Sequence, residues 1–252
     1  MIDTEEKAYW LGFIYADGYI DSSPLDPNKK SRYVFELSLK VSDVEHLNKF
    51  NIFMKHNKNN VKIGKSKCQG KEFFRCRWKI NNKHLWNTLN NHGCTPNKSL
   101  TLKFPDYSIF KDKSLIRHFI RGYFDGDGCI SYHKCDTKGN SYSVTTALLG
   151  THQFIHELEN NLPCKGFYPN TGDKYSKETC ELRFTVSNSK IFLHYLYDDA
   201  TIYLNRKYNR AIFFYDDCRS AKELAELLES EIGEGCDANP EISSEIKESE
   251  PL

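Results

Sequence analysis

The chain has 252 residues, and its 35 Lys and Arg nearly balance its 34 Asp and Glu, which gives a formal net charge of +1. Residues 218–252 hold three of the basic and ten of the acidic residues, so residues 1–217 carry a net charge of +8. A basic body is typical of proteins that bind polyanions, although a solvated charged surface has the same composition. No apolar run approaches the roughly 20 residues that cross a bilayer. The N-terminus is acidic and unlike a signal peptide, so we expect an intracellular protein without a membrane partner.

Nine cysteines are scattered singly along the chain, and no two of them form a CxxC pair. Disulfide-rich small domains and structural zinc sites both use regularly spaced cysteines. We therefore expect reduced thiols and no structural zinc site.

The first predicted element is a helix that contains Gly12 and Ala16 and ends at Asp17-Gly18. Its two small residues stand four positions apart and share one helix face. A glycine inside a helix costs about 1 kcal/mol relative to alanine, and close approach of a second backbone would offset that cost. Gly18 is expected to end the helix in a left-handed conformation.

Two stretches after this helix alternate between apolar and polar residues. In residues 33–41 the apolar set is Tyr33, Phe35, Leu37, Leu39 and Val41, and in residues 73–80 it is Phe74, Cys76, Trp78 and Ile80. A period of two predicts antiparallel strands with one buried face and one wet face. Residues 24–30 favour a hairpin loop before the first of these strands.

The same organisation begins again 110 residues later, where residues 119–130 repeat the pattern of residues 9–20. Gly122 and Gly126 take the places of the first pair of small residues, and Gly128 is expected to end its helix in a left-handed conformation, as Gly18 is. A hairpin loop is expected at residues 135–140, and a strand over residues 180–186 with Leu182, Phe184 and Val186 on its buried face.

A repeat on this scale predicts an α+β fold of two pseudo-symmetric αββαββα halves, residues 1–110 and 111–217. Lys98 and Lys207 lie at matching places near the ends of the two units, 109 residues apart. The motif helices should then pair around a pseudo-twofold axis, within one chain that acts as a monomer.

Residues 218–252 form a separate acidic tail in this interpretation. Leu224, Leu227 and Leu228 predict a short amphipathic helix over residues 220–232. Residues 233–252 have almost no large apolar side chains, so we expect them to be disordered and give the tail no catalytic role.

Asp17 and Asp127 each end one of the two helices that are expected to pair. The helix dipole disfavours a negative charge at this end by a few tenths to about 1 kcal/mol, and pairing brings the two carboxylates together. Divalent cations would offset both effects. Hard oxygen ligands favour Mg²⁺, which suits phosphoryl chemistry because the metal can activate water and neutralise developing charge.

Trp10–Gly18 and Ile120–Gly128 resemble the nine-residue signature of LAGLIDADG homing endonucleases, and the similar organisation extends over residues 1–215. The resemblance implies a saddle of two antiparallel sheets over the DNA major groove. It also implies an enzyme of mobile genetic elements that uses Mg²⁺ to hydrolyse both strands of a long double-stranded DNA site, with no small-molecule substrate. Trp10, Leu11 and Tyr15 depart from the signature, but none of them is an expected metal ligand.

Carried over by motif position, the resemblance makes Asp17 and Asp127 the catalytic acids and metal ligands. The peptide oxygens of Ala16 and Gly126 are expected to assist the metals, and Lys98 and Lys207 to act as basic residues near the scissile phosphates. Strand side chains that point outward are the expected DNA contacts, since Arg and Lys address guanine edges or phosphates. They are Glu36, Lys40, Arg75, Arg77, Lys79 and Arg183.

Simpler interpretations stay open for several of these residues. A single Asp-Gly is usually a structural helix stop, the basic strand face could be only solvated, and the two lysines could be surface residues. Histidines on predicted helices are expected to be surface or core residues and not ligands.

Other functions also compete with an endonuclease. A noncatalytic DNA-binding regulator would have no need of paired acids, whereas an intron RNA maturase on the same scaffold could retain them. An intein is not expected from the residues at either end. An inert interaction protein should not be retained by DNA or heparin.

Overall fold

Two 13-residue helices, α1 (Glu5–Asp17) and α4 (Leu115–Asp127), form the centre of the computed structural model. The structure describes residues 1–22, 32–55, 60–68, 71–135, 141–170, 176–215 and 219–233. The hairpin loop predicted at 24–30 lies outside these residues, as does the one at 135–140 except for Cys135. Helix α1 begins where the Thr4 hydroxyl accepts a hydrogen bond from the Lys7 amide at 3.2 Å, which satisfies one of the free N–H groups at the helix start.

Each central helix leads directly into an antiparallel sheet. The elements before α4 are β1 (Gly18–Asp21), β2 (Val34–Lys40), α2 (Val44–Phe53), β3 (Val61–Cys68), β4 (Lys71–Asn81) and α3 (Lys83–Asn91). Those after it are β5 (Cys129–Lys134), β6 (Ser141–Thr151), α5 (His152–Glu159), β7 (Thr179–Arg183), α6 (Val186–Tyr197), α7 (Asn205–Phe213), β8 (Arg219–Ser220) and α8 (Ala221–Gly233).

The described strands form two sheets that repeat one connectivity. The first sheet has the order β1-β2-β4-β3, and in the second β5 pairs with β6, which pairs with both β7 and β8. Helices cover one face of each sheet and fill the core with aromatic side chains. Phe50 of α2, for example, packs edge-on against Trp78 of β4 with ring centroids 5.0 Å apart. The predicted α+β architecture is confirmed.

The small residues of α1 and α4 face each other across the helix pair. A Cβ atom added at Gly12 would overlap the carbonyl oxygen of Phe119, and one added at Gly122 would overlap the carbonyl oxygen of Tyr9. A Cβ at Gly126 would likewise overlap the Ala16 side chain. The predicted pairing of the motif helices is therefore confirmed, and the contact is reciprocal because the two helices are related by the repeat.

The prediction of left-handed helix ends was wrong. Gly18 has φ −73° and ψ 132°, and Gly128 has φ −72° and ψ 153°, which are extended conformations open to any residue. Glycine is needed there for space, because each helix turns at once into a strand. A Cβ at Gly128 would collide with the ring of Phe124, and one at Gly18 would lie 2.7 Å from the Ile14 side chain.

Strand β7 is shorter than the sequence pattern predicted. It ends at Arg183, and Thr185 caps α6 by accepting a hydrogen bond from the Asn188 amide. Phe184 is buried as expected, but Val186 belongs to the helix. The capping propensity of threonine outweighs the alternation here.

The described part of the second copy has only a single bridge where β3 stands in the first. Phe167 and Arg183 exchange two backbone hydrogen bonds of 2.8 and 2.9 Å. Pro169 follows two residues later, and it has no N–H group to extend the ladder.

Phe74 was predicted to be in the core, but 53% of it is exposed. Lys65, the partner of Phe74 on β3, is exposed as well, so the alternation continues past the buried part of the strand. Cys76 and Trp78, further along the same face, are fully buried.

A fully buried arginine joins the two central helices. Arg121 of α4 donates a hydrogen bond of 2.6 Å to the Glu5 carboxylate of α1 and others to the carbonyl oxygens of Leu196 and Ile202. It also forms a hydrogen bond of 2.8 Å with His118. Each guanidinium nitrogen thus has at least one hydrogen-bond partner, as a buried charge requires.

The first part of the predicted acidic tail packs onto the second sheet. β8 pairs with the start of β6, and α8 buries Leu224 completely. The helix expected over residues 220–232 is therefore present, and residues 234–252 lie outside the described ones. Where the structure is described, none of the helices combines the length and apolar character that a membrane crossing needs. Cys76, Cys94, Cys129, Cys135, Cys164 and Cys180 are free thiols.

Candidate functional site at the ends of the paired helices

Asp17 and Asp127 are the last residues of α1 and α4, so helix pairing places both at the same end of the molecule. Burial raises the pKa of both carboxyl groups. The charge of Asp127 adds to this effect at Asp17, whose pKa reaches about 6. A Cβ at Gly126 would lie 3.3 Å from an Asp17 carboxylate oxygen, so this carboxylate sits beside the end of the opposite helix.

Lys98 and Lys207 both reach the carbonyl oxygens at these helix ends. The Lys98 ammonium donates to Ala16 at 2.8 Å. The Lys207 ammonium donates to Phe124 and Gly128 at 2.5 Å each and to Gly126 at 3.4 Å. A cation is favourable at a helix C-terminus because the dipole there is negative.

The surroundings lower the pKa of both ammonium groups. Burial lowers the pKa of Lys98, and burial together with the charge of Arg206 lowers that of Lys207 to about 8. The acids Asp17 and Asp127 act in the opposite direction on both lysines. The structure thus brings together two acids and two bases that are distant in sequence.

Two clefts open beside the helix ends, and each combines residues from both copies. One has a volume of about 420 Å³ and is lined by Asp127, Ala16 and Lys98 among others. The other, of about 540 Å³, is lined by Asp17, Gly126 and Arg206. We refer to them as the Asp127 cleft and the Asp17 cleft. In each, the acid of one copy lies with the residue that precedes the acid in the other copy.

Asp17, Asp127 and the carbonyl groups beside them supply hard oxygen atoms, the ligand type that Mg²⁺ prefers. Among the residues that the structure describes, no three His, Cys, Asp or Glu side chains form a group that could hold a metal. Mg²⁺ does not need such a group, since it is usually bound by one or two carboxylates, several waters and substrate phosphates. The carbonyl oxygens of Ala16 and Gly126 accept from the lysines, and each retains a second lone pair.

The predicted DNA-contacting residues of the first half lie together on the wet face of β2 and β4. Glu36 is opposite Lys79, and Lys40 is opposite Arg75. Glu36 forms salt bridges with Lys79 at 3.0 Å and with Arg77 at 3.2 Å. The face therefore carries a net positive charge, and the Glu36 carboxylate holds two of its basic side chains in place.

Arg183, the predicted contact of the second half, lies on β7 and forms a salt bridge of 2.7 Å with Glu181. The outer face around it has little charge. Ala147 is its partner on β6, and Leu149 is the partner of Glu181. The two sheets thus present different chemistry on equivalent faces.

Sequence reasoning missed a buried carboxylate beside the site. Asp125 is fully buried and accepts hydrogen bonds from Tyr9 at 2.7 Å, Tyr197 at 2.5 Å and the Leu204 amide at 2.7 Å. Burial raises its pKa, and these donors oppose that effect. Leu204 directly precedes α7, so this network fixes the start of the helix that carries Lys207. The only sequence signal was Tyr15, at the equivalent position of the first motif.

An ion pair in the Asp17 cleft was also missed. The Arg206 guanidinium contacts both oxygens of Asp43 at 3.1 and 3.2 Å, and Asp43 is 6% exposed. The two residues are 163 positions apart and come from different copies. No local pattern in either segment could have indicated the pair.

Comparison with solved structures shows that this chain has the fold of LAGLIDADG homing endonucleases. The LAGLIDADG homing endonuclease I-GzeII in complex with its DNA target aligns over 98% of this chain and 97% of its own, with a TM-score of 0.53 and 13% identity. The LAGLIDADG meganuclease I-AabMI bound to uncleaved DNA aligns over 97% and 98%, with a TM-score of 0.51 and 16% identity.

A third solved structure is I-SmaMI bound to an uncleaved DNA target in the presence of calcium ions. It aligns over 95% of this chain and 96% of its own, with a TM-score of 0.53 and 13% identity. No family model and no curated protein sequence matches the chain. At these identities the likeness establishes the fold.

Proposed function

We propose that this chain is a site-specific endonuclease that hydrolyses both strands of a long double-stranded DNA site with Mg²⁺, as a monomer inside the cell. The observation that carries the proposal is the crosswise construction of the two clefts. Each combines the acid of one motif with the residue that precedes the acid in the other motif. A pair of equivalent clefts suits a substrate with two antiparallel strands.

The basic face of the first sheet supports DNA as the substrate. Its basic residues lie on two paired strands: Lys40 on β2, and Arg75, Arg77 and Lys79 on β4. Lys40 and Arg75 also line the Asp17 cleft. Such a face binds phosphates and base edges in the major groove. The similar solved structures of I-GzeII, I-AabMI and I-SmaMI are described as complexes with DNA.

We assign Asp17 and Asp127, with the carbonyl oxygens of Ala16 and Gly126, as the groups that would hold Mg²⁺. A bound Mg²⁺ would lower the pKa of a water molecule that it holds and would place positive charge at the reacting phosphate. The lysines add fixed positive charge at the same place. Lys98 and Lys207 are anchored by carbonyl oxygens, so little reorganisation is needed when charge develops on the phosphate.

The proposal is tested by a Mg²⁺-dependent cleavage assay of the purified protein against a randomised DNA library. Asp17→Asn and Asp127→Asn are assayed in parallel. We expect the wild type to make double-strand cuts at one defined site and each variant to lose them. Enrichment of a DNA site without cutting would indicate a regulator, and binding of RNA alone would indicate a maturase.

A further inference from the structure

The two clefts have equivalent positions that can be matched through strand pairing. The residue after each motif glycine pairs with Glu36 in the first sheet and with Ala147 in the second. Four residues further along these strands stand Lys40 and Thr151. Lys40 lines the Asp17 cleft, and Thr151 lines the Asp127 cleft.

The neighbouring strands differ in the same way. Lys40 is paired with Arg75, whereas Thr151 is paired with Thr179. Both partners line the same cleft as the residue that they pair with. At these two matched positions the Asp17 cleft has basic residues, and the Asp127 cleft has threonines.

A third difference lies directly before the two site lysines. Arg206 precedes Lys207 and lines the Asp17 cleft, whereas Asn97 precedes Lys98. Asp43 holds Arg206 in place and contributes one negative charge to the cleft.

Among the charged residues that line the Asp17 cleft, the basic ones outnumber the acidic ones by one: Lys40, Arg75 and Arg206 against Asp17 and Asp43. In the Asp127 cleft the charges of Lys98 and Asp127 cancel. The Asp17 cleft is therefore the more positive of the two.

We propose that the Asp17 cleft binds its DNA phosphate more strongly than the Asp127 cleft, so that one strand of the target is cut before the other. This inference rests on the proposed function. Positive groups placed around a reacting phosphate stabilise the charge that builds up during hydrolysis. Threonine hydroxyls at the same positions offer at most neutral hydrogen bonds, which are weaker than charge-assisted ones.

The test uses the intact duplex that the library assay identifies as the target. Each strand carries a different fluorescent label, so that the two cuts are timed separately. We expect the wild type to cut one strand about tenfold faster than the other. This is less than the roughly 10²–10³-fold effect of one donor in a water-excluded site, because Lys40 and Arg75 are exposed to solvent. Lys40→Thr with Arg75→Thr gives the Asp17 cleft the residues of the other cleft. This double variant should slow the faster strand by about tenfold and leave the slower strand unchanged within about twofold.

The matched control is Lys111→Thr with Lys113→Thr, which also removes two charges. Both lysines lie before the start of α4, and a 13-residue helix separates that end from the clefts by roughly 20 Å. The control should keep the strand preference. Equal strand rates in the wild type, or equal slowing of both strands in the test variant, would overturn the inference while leaving the nuclease proposal intact.

A binding measurement in EDTA gives a readout that does not depend on cleavage. Phosphate ethylation should interfere with binding more strongly on one strand near the centre of the site, and the double variant at Lys40 and Arg75 should lose this difference. Symmetrical interference would refute the charge asymmetry. Binding without any cleavage would refute the nuclease proposal alone, and absence of DNA binding would refute both.

Discussion

The substitution Gly12→Ala tests whether α1 and α4 pack as closely as described. The added methyl group would overlap the Phe119 carbonyl oxygen and lie 2.9 Å from the Tyr123 amide nitrogen. Both are backbone atoms of a packed helix, so neither can rotate away and the helices must separate locally. Overpacking of this kind costs up to about 3 kcal/mol, and alanine recovers about 1 kcal/mol of helix propensity. We expect a net loss of roughly 2 kcal/mol in the free energy of unfolding.

Urea denaturation followed by circular dichroism measures this loss. With a slope of about 2 kcal/mol/M, the unfolding midpoint should fall by roughly 1 M. Gly122→Ala should behave alike, because its added methyl group would overlap the Tyr9 carbonyl oxygen in the reciprocal contact. Gly64→Ala is the control, since a Cβ there has nothing within 4 Å.

A Gly12→Ala variant with the midpoint and slope of the wild type would refute the reasoning. The two helix backbones would then be further apart than the glycine contacts require. The close placement of Asp17 and Asp127 would lose its structural basis as well.

Three further predictions concern the surroundings of the clefts. Asp125→Asn leaves three buried donors with one side-chain acceptor, so it should destabilise the protein by about 2–3 kcal/mol in urea and slow cleavage through Lys207. The pKa of Asp17 lies above its ordinary value of 3.8, so the folded protein binds a proton more tightly than the unfolded chain. Without metal, stability should therefore fall by roughly 1–3 kcal/mol as the pH rises from about 4 to above 6. Asp17→Asn should reduce this fall and leave the part that comes from Asp127 and Asp125, because burial raises the pKa of those two carboxyl groups as well. Glu36→Gln releases two basic partners, so it should strengthen DNA binding at low salt and steepen its logarithmic salt dependence by about 1–2.

Each of these has its own control. Adding Tyr197→Phe to Asp125→Asn removes one stranded donor and should restore part of the stability; no recovery would argue against the hydrogen-bond network. Glu6→Gln, on the exposed part of α1, should keep the pH dependence. Glu45 lies on α2, which covers the opposite face of the first sheet. The control variant Glu45→Gln should therefore leave the salt dependence of DNA binding unchanged.

The sequence was most informative where a pattern repeats. Gly12 and Gly122 predicted the helix pairing because a costly residue in the same frame twice requires a common cause. Asp17 and Asp127 followed from that pairing, and Lys98 and Lys207 from their equal spacing. Periodicity also identified the sheet strands, since one face of each is buried.

The sequence was least informative about contacts between the copies. Arg206 and Asp43 meet across 163 residues, and Asp125 joins segments that are 72 to 116 residues away from it. Local periodicity records which side of an element is buried, but not which partner fills that side. The exposure of Phe74 follows from the same limit, because alternation does not indicate where the covering helices end.

Because each cleft combines residues of both copies, a mutation in one motif affects more than one cleft. A duplicated unit gives redundancy only where each copy forms a complete site, because then one copy can lose its residues while the other still functions. Here neither cleft belongs to one copy, since Asp127 lies with Ala16 and Asp17 with Gly126. Damage to either motif reaches both clefts, and the duplication therefore carries no redundancy.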